Sequence, residues 1–265
     1  MRLSRFVPLV IGSAALVGCG KDKVTDPGFP PLAGVRFINA VPDTGAIDIR
    51  AIDQVDFSPV GNAIAFRSGT EHQPTEAKTR HFRAFITSTN PAITSNPIVD
   101  TTLAFAENSR YTVLLTGSAR TKVQFVLIND NAPVPATGEI AIRTVNASTG
   151  AIDSYVVDST VTPLPGSATA ANVAPLAASV YVGRTAGKVA MRVTPTGSAT
   201  VSASQQGPYA PQALPGAAAG AGVNTASTPF SVYFFPRSVA GSGAPQTAAF
   251  QVPAIVWFVD RVPTP

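Results

Sequence analysis

One stretch occurs twice in this chain, and the duplication limits the fold more than any other feature. Arg36-Phe-Ile-Asn-Ala-Val-Pro-Asp-Thr-Gly-Ala-Ile-Asp48 returns as Arg143-Thr-Val-Asn-Ala-Ser-Thr-Gly-Ala-Ile-Asp153, shorter by two residues in the turn. Solenoid repeats recur every ~20–50 residues, so a recurrence this distant points to duplicated whole domains. A chain of 265 residues has room for two, each long enough to bury a modest core without metal or disulfide support.

Charged residues make up only 13% of the chain, against 24 prolines and 21 glycines, a profile of short strands and many turns. Ala46-Ile-Asp-Ile-Arg-Ala-Ile52 alternates cleanly, with Ile47 and Ile49 on one face and Asp48 and Arg50 on the other. Val35 and Phe37 point one way along the strand before it, Arg36 and Ile38 the other. Further strands are expected at Asn62–Arg67, Arg80–Thr87, Ile98–Phe105, Arg110–Gly117 and Lys122–Asn129, with no convincing helix. The second copy is expected to run Glu139–Ala147, Ala151–Asp158, Ala178–Gly183, Lys188–Thr194, Ala199–Ser204, Pro229–Phe235 and Ala248–Val259. Phe230-Ser-Val-Tyr-Phe234 takes the place of Tyr111-Thr-Val-Leu-Leu115, and Ile255–Asp260 that of Gln124–Asn129. Gln205–Thr228, rich in Ala and Gly, reads as a mobile loop. About seven short strands per copy fit an all-β fold of two tandem immunoglobulin-like antiparallel β-sandwich domains, although the Cys…Trp…Cys pattern of antibody domains is missing.

The amino terminus carries an address. Arg2 and Arg5 precede an apolar run from Phe6 to Val17, and Leu16-Val-Gly-Cys19 closes it. A run this short falls below the roughly 20 residues needed to span a bilayer and reads as a signal peptide. Its ending resembles the lipobox of bacterial lipoproteins, which implies cleavage before Cys19 and a lipid on its sulfur. Cys19 is the single cysteine, so no internal disulfide can form. Gly20 stands where an aspartate would argue for inner-membrane retention, which favours the outer membrane in an organism that has one. Removing Arg2 and Arg5 leaves 17 basic residues against 15 acidic, without any basic run, so nucleic acid is not an expected partner.

The expected organisation is a lipoprotein signal peptide over 1–18 and a lipidated Cys19 with a flexible tether over 19–33. A first sandwich over 34–130, a linker over 131–138 and a second sandwich over 139–262 follow. Asp130-Asn-Ala-Pro-Val-Pro-Ala-Thr-Gly138 holds two prolines, and a linker of that kind restricts the relative orientation of its domains.

At the repeated stretch the chain resembles a bacterial family, domain of unknown function 4397. The family opens with Arg-[Phe/Val]-[Val/Ile]-Asn-Ala-Ser-Pro-Asp and then [Val/Ile]-Asp-Val-Tyr. Arg36–Asp43 with Ile47-Asp-Ile-Arg50, and Arg143–Ser148 with Ile152-Asp-Ser-Tyr155, match it in turn, and Tyr111-Thr-Val-Leu-Leu-Thr-Gly117 fits a later element. The second copy lacks the Pro-Asp of the turn. The resemblance implies tandem copies on secreted proteins and lipoproteins, and it carries no established activity.

The sequence offers no recognisable catalytic motif. His72 and His81 lack a metal-ligand spacing, and there is neither a nucleophile elbow nor a phosphate loop. Asp43, Asp48, Asp53 and Asp56 crowd the first copy, and Asp153 and Asp158 recur in the second. Such carboxylates can hold calcium or hydrolyse glycosides; bonding turn amides is the simpler use. Asn39, Asp43, Asp48, Asn146 and Asp153 are therefore candidate ligand or structural-turn residues. Tyr233, Phe234, Phe235, Trp257 and Phe258 could stack on sugars, with core packing the simpler reading. The expectation is a non-enzymatic, lipid-anchored envelope protein with no metal or cofactor, a spacer or a binding module for a glycan or protein. A surface carbohydrate-binding protein is the alternative, and a hydrolase using the Asp cluster a remote one.

Overall fold

A computed structural model describes residues 30–54, 59–119, 122–209, 212–213 and 219–261. The first half contributes β1 (Leu32–Asn39), β2 (Ile47–Ala51), β3 (Pro59–Ile64), β4 (Ser68–Gly69), β5 (Gln73–Glu76) and β6 (Thr79–Ile86). One helical turn follows, α1 (Pro91–Thr94), capped by Asn90, and then β7 (Val99–Ala104), β8 (Arg110–Ser118) and β9 (Lys122–Asn129). The second half contributes β10 (Glu139–Asn146), β11 (Ile152–Asp158), β12 (Ala170–Val173), β13 (Val182–Thr185), β14 (Val189–Pro195) and β15 (Ala203–Gln206). A small pair, β16 (Gln212–Ala213) and β17 (Ala219–Gly220), precedes β18 (Pro229–Phe235) and β19 (Ala254–Val259).

Each half is a sandwich with the same strand order. The outer sheets run β3-β2-β6-β7 and β12-β11-β14-β15; the inner sheets run β4-β1-β8-β9, with β5 also on β1, and β13-β10-β18-β19. Pairing is antiparallel except between β1 and β8 and between β10 and β18, which are parallel. Period-two alternation produces the layers: on β2, Ile47, Ile49 and Ala51 are buried between half-exposed Asp48 and Arg50.

Three apolar clusters hold the layers together. Val35, Phe37, Ile47, Ile49, Phe82 and Val113 fill the first sandwich. Ile140, Ile152, Met191, Phe230 and Trp257 fill the second. Ile38, Leu114 and Ile128 of one inner sheet meet Val145, Tyr233 and Phe258 of the other in a third cluster. At roughly 1.5–3 kcal/mol per fully buried large side chain, this third seam is a substantial interface. It explains why all seven residues of β18 are buried: an inner sheet covered on both faces reads as a continuous apolar run.

Several sequence expectations change here. β5, β12 and α1 went unread. The strand expected at Asn62–Arg67 is Pro59–Ile64, because Arg67 turns the chain with φ 65°. Ala178–Gly183 and Ala199–Ser204 move to Val182–Thr185 and Ala203–Gln206, and the last strand starts at Ala254 rather than Ala248. Gln205–Thr228 is not simply a loose loop in its described parts. Gly207 N–H bonds the Val189 carbonyl, Val223 N–H bonds Pro208, and Val223 is buried in the second core. The pairing of the final strands also slips by one. Val113 faces Leu127 and Val232 faces Trp257, so Asp260 corresponds to Asp130 and not to Asn129. Phe125–Ile128 and Ala254–Val259 are continuous apolar runs, which lack the alternation that would fix their register by eye. Asp130 lies within the seam and is fully buried.

Candidate functional site

The sequence-predicted residues prove to be backbone anchors. Asn39 donates to the carbonyls of Ile64 (3.0 Å) and Gly45 (3.3 Å) and accepts from Val41 N–H (3.0 Å). Asn146 repeats this with Val173, Gly150 and Ser148 at 2.9, 2.8 and 3.0 Å. Each side chain ties the end of the first strand to its turn and to the neighbouring strand.

Asp48 accepts from Ala63 N–H (2.8 Å) and the Thr87 hydroxyl (2.8 Å); Asp153 accepts from Asn172 N–H (2.7 Å) and Gly197 N–H (2.9 Å). Ala63 and Asn172 both have positive φ, 47° and 50°, at matching register breaks. The carboxylates hold irregular, left-handed backbone in place. The two N–H bonds to Asp153 are what hold its carboxyl below the usual range.

Asp43 has no counterpart in the second half, where the Pro-Asp is missing. It receives Ala119 N–H (3.0 Å) and the Ser118 hydroxyl from the β8–β9 hairpin. Asp53 pairs with buried Arg80 at 2.7 Å, and Asp56 lies outside the described residues, as does Cys19. Among the described residues, no group of three His, Cys, Asp or Glu is placed to hold a metal. Tyr233, Phe234, Phe235, Trp257 and Phe258 are all buried at 6% exposure or less, so they form core and not a sugar platform.

What the sequence reading missed is an ionic cluster across the seam. Arg36 and Arg143, which open the two copies of the motif, are both buried. Arg36 reaches Asp260 of the other half at 2.6 Å, with Asp130 at 3.4 Å, and Arg143 reaches back to Asp130. Arg36 Nε donates to the Thr112 hydroxyl and Arg143 Nε to the Ser231 hydroxyl, each at 2.7 Å. Their remaining nitrogens reach the carbonyls of Val259 (3.2 Å) and Asn129 (2.6 Å). His72 Nε2 sits 3.1 Å from Asp130, and the Tyr181 hydroxyl donates to Asp260 at 2.8 Å. The two short Arg–Asp pairs and their hydroxyl and carbonyl bonds are matched across the seam, as in an isologous two-fold interface. Among the described residues the second, 3.4 Å ion pair is made by Arg36 alone. Arg36 also lies 5.3 Å from the Phe258 ring centre, and Arg143 4.7 Å from that of Tyr181.

Two cations and two carboxylates with bidentate-capable partners satisfy one another where water cannot. Burial alone would push Asp130 up, but Arg36, the His72 hydrogen bond and Arg143 more than offset it and hold the carboxyl well below its ordinary range. Burial lowers His72 despite Asp130, with Arg36 adding to the effect, so the ring is neutral at pH 7. Because its folded pKa lies below the ordinary 6.5, the unfolded chain takes up this proton first. The His72 contribution is therefore complete above that value and declines as pH falls through it toward the folded pKa. Melting temperature should drop between pH 7 and pH 5, and His72→Gln should flatten that segment; an unchanged slope in the variant would assign the drop elsewhere.

None of the curated proteins matches the chain. Among solved structures, a Bacteroides fragilis NCTC 9343 chain described as a "putative cell adhesion protein" is similar at 10% identity. The likeness covers 88% of this chain and 99% of that one, with a TM-score of 0.20. Residues 33–155 match the family model of a domain of unknown function, DUF4397, a span running from β1 through most of β11 and including Arg36, Asp130 and Arg143. The resemblance read at Arg36–Asp43 thus holds, and the chain carries a DUF4397 match across its first half and the opening strands of its second.

Proposed function

We propose that this is a non-catalytic, lipid-anchored protein of the cell envelope, in which two tandem copies of one β-sandwich form a stiff spacer that presents its loops to a partner. The observation that carries this reading is the reciprocal Arg–Asp cluster with the apolar seam beside it. Two domains that need only be linked do not require buried charges spent on fixing their angle. A scaffold that must hold a surface at a set geometry does. The aromatic strands that favoured carbohydrate binding are consumed by the core, which removes the observation behind that alternative.

The anchor rests on Leu16-Val-Gly-Cys19 and on the Pro-rich stretch after it. No helix of the described residues is long and apolar enough to cross a membrane. Several acyl chains, each methylene contributing ~0.8 kcal/mol, hold a protein to a bilayer without such a helix. With Gly20 after the cysteine, the outer membrane is the favoured site where the cell has one. Palmitate labelling of cells producing the full chain should mark it, and Cys19→Ala should abolish the label. Labelling that survives the substitution would overturn the anchor.

A further inference from the structure

One break in the pseudo-symmetry of the two halves leaves a cleft. β18 and β19 are joined by 18 residues, Pro236–Pro253, whereas β8 and β9 are joined by the three residues 119–121. The long connection folds back over the first half. Arg67 gathers its carbonyls, donating to Pro236 (2.7 Å), Ala249 (3.0 Å) and Val252 (2.5 Å). Phe250 lies against Phe66, ring centres 6.1 Å apart, and Val239 N–H bonds the Pro42 carbonyl at 2.8 Å.

Residue correspondences locate the same place on the other half. Arg67 N–H bonds the Asn39 carbonyl and Leu176 N–H the Asn146 carbonyl, at 2.9 and 2.8 Å, with φ 65° and 61°. Ile38 faces Gly69 as Val145 faces Ala178. Leu176 therefore stands where Arg67 does, and Pro175 where Phe66 does. Thr116 pairs with Gln124 as Phe235 pairs with Ala254, so Gly117 stands where the long connection leaves its strand. Thr116, Gly117, Gln124, Thr149, Pro175 and Leu176 all line one cleft of about 480 Å³, and none of the described residues lining it is charged. The space that a polypeptide segment fills on one half stands open on the other.

We propose that this cleft docks a polypeptide segment of another protein: uncharged, rich in small residues and proline, and carrying one bulky apolar side chain against Pro175 and Leu176. The occupant of the mate site argues for that class. Pro236–Pro253 contains one charged residue, Arg237, and its half-buried Phe250 packs on Phe66, the counterpart of Pro175. Hydroxyls and an amide around the rim can bond a backbone, while Leu176 in place of Arg67 exchanges a carbonyl grip for apolar contact. This site stands whether or not Cys19 is lipidated, so failure of either idea leaves the other intact.

A capped, fluorescein-labelled peptide with the sequence of residues 236–253 serves as the probe, titrated against the full chain by anisotropy. Saturable binding is expected, strengthened about tenfold by Leu176→Arg, since charged hydrogen bonds to carbonyls contribute on that scale. Arg67 shows that arginine fits such a backbone position. Thr149→Trp and Gln124→Trp should each abolish binding, with melting temperature confirming the fold. A peptide with alanine at the Phe250 position should bind at least about tenfold more weakly. No saturable binding to the native chain, binding that survives both tryptophan variants, or indifference to the phenylalanine would each overturn the proposal.

Discussion

Arg36→Met destabilises the chain by about 3–5 kcal/mol, the cost of leaving a buried carboxylate without its cation. Arg36 is 1% exposed and Asp260 likewise, so water cannot replace the lost partner. The guanidinium simultaneously serves Thr112 through Nε, the Val259 carbonyl through one terminal nitrogen and Asp260 through the other. Lysine offers a single point charge in place of that fork, so Arg36→Lys should recover less than half the loss. The informative comparison is a double-mutant cycle. Asp260→Leu alone leaves Arg36 buried with only Asp130 at 3.4 Å to answer it. Arg36→Met combined with Asp260→Leu removes both charges and should be less damaging than the sum of the singles by about 2 kcal/mol or more. Denaturant midpoints read this directly. Additive losses would mean that the pair does not fasten the two halves.

The strands were legible in the sequence and the fastening was not, for a physical reason. β2 and β8 declare themselves because alternation and β-branched residues survive in any partly buried strand. Asn39, Asp48, Asn146 and Asp153 were visible as repeated polar residues beside turns, and their hydrogen bonds explain the repetition. Arg36 and Arg143 sat in the same repeated stretch, but an arginine on a strand ordinarily faces water. Only the stacking of the two inner sheets buries that face, and nothing local announces that stacking. Asp130 was hidden similarly, at the edge of a proline-containing linker. The available signal was joint: an arginine kept in both copies of the first strand and an aspartate closing the last strand in each. The one-residue slip in aligning β9 with β19 concealed it, since Asp260 was set against Asn129.

Arg67→Ala has the second-largest expected effect, a loss of about 2–3 kcal/mol, and it acts on a different join. The side chain holds four backbone carbonyls of the Pro236–Pro253 connection, those of Pro236, Ala249, Phe250 and Val252. Burial pulls its guanidinium down to about 10, which still leaves it charged at neutral pH. Charged hydrogen bonds contribute roughly 1.5–3 kcal/mol apiece, but several of these carbonyls lie near the surface and regain water when the arginine goes. The net loss is therefore smaller than that at Arg36. Arg67→Gly separates the two contributions at this position. It removes the same grip while relieving a positive φ that costs an L-residue roughly 1–2 kcal/mol, so it should be less damaging than alanine. Both variants should expose the connection to limited proteolysis within 237–252, because the side chain that gathers its carbonyls is then gone. Leu176→Ala, at the corresponding position beside the open cleft, should cost less than about 1 kcal/mol, since the short β8–β9 hairpin of the other half sends no long connection across it. Equal losses at the two positions would show that Arg67 supports its own turn and not the loop across the seam.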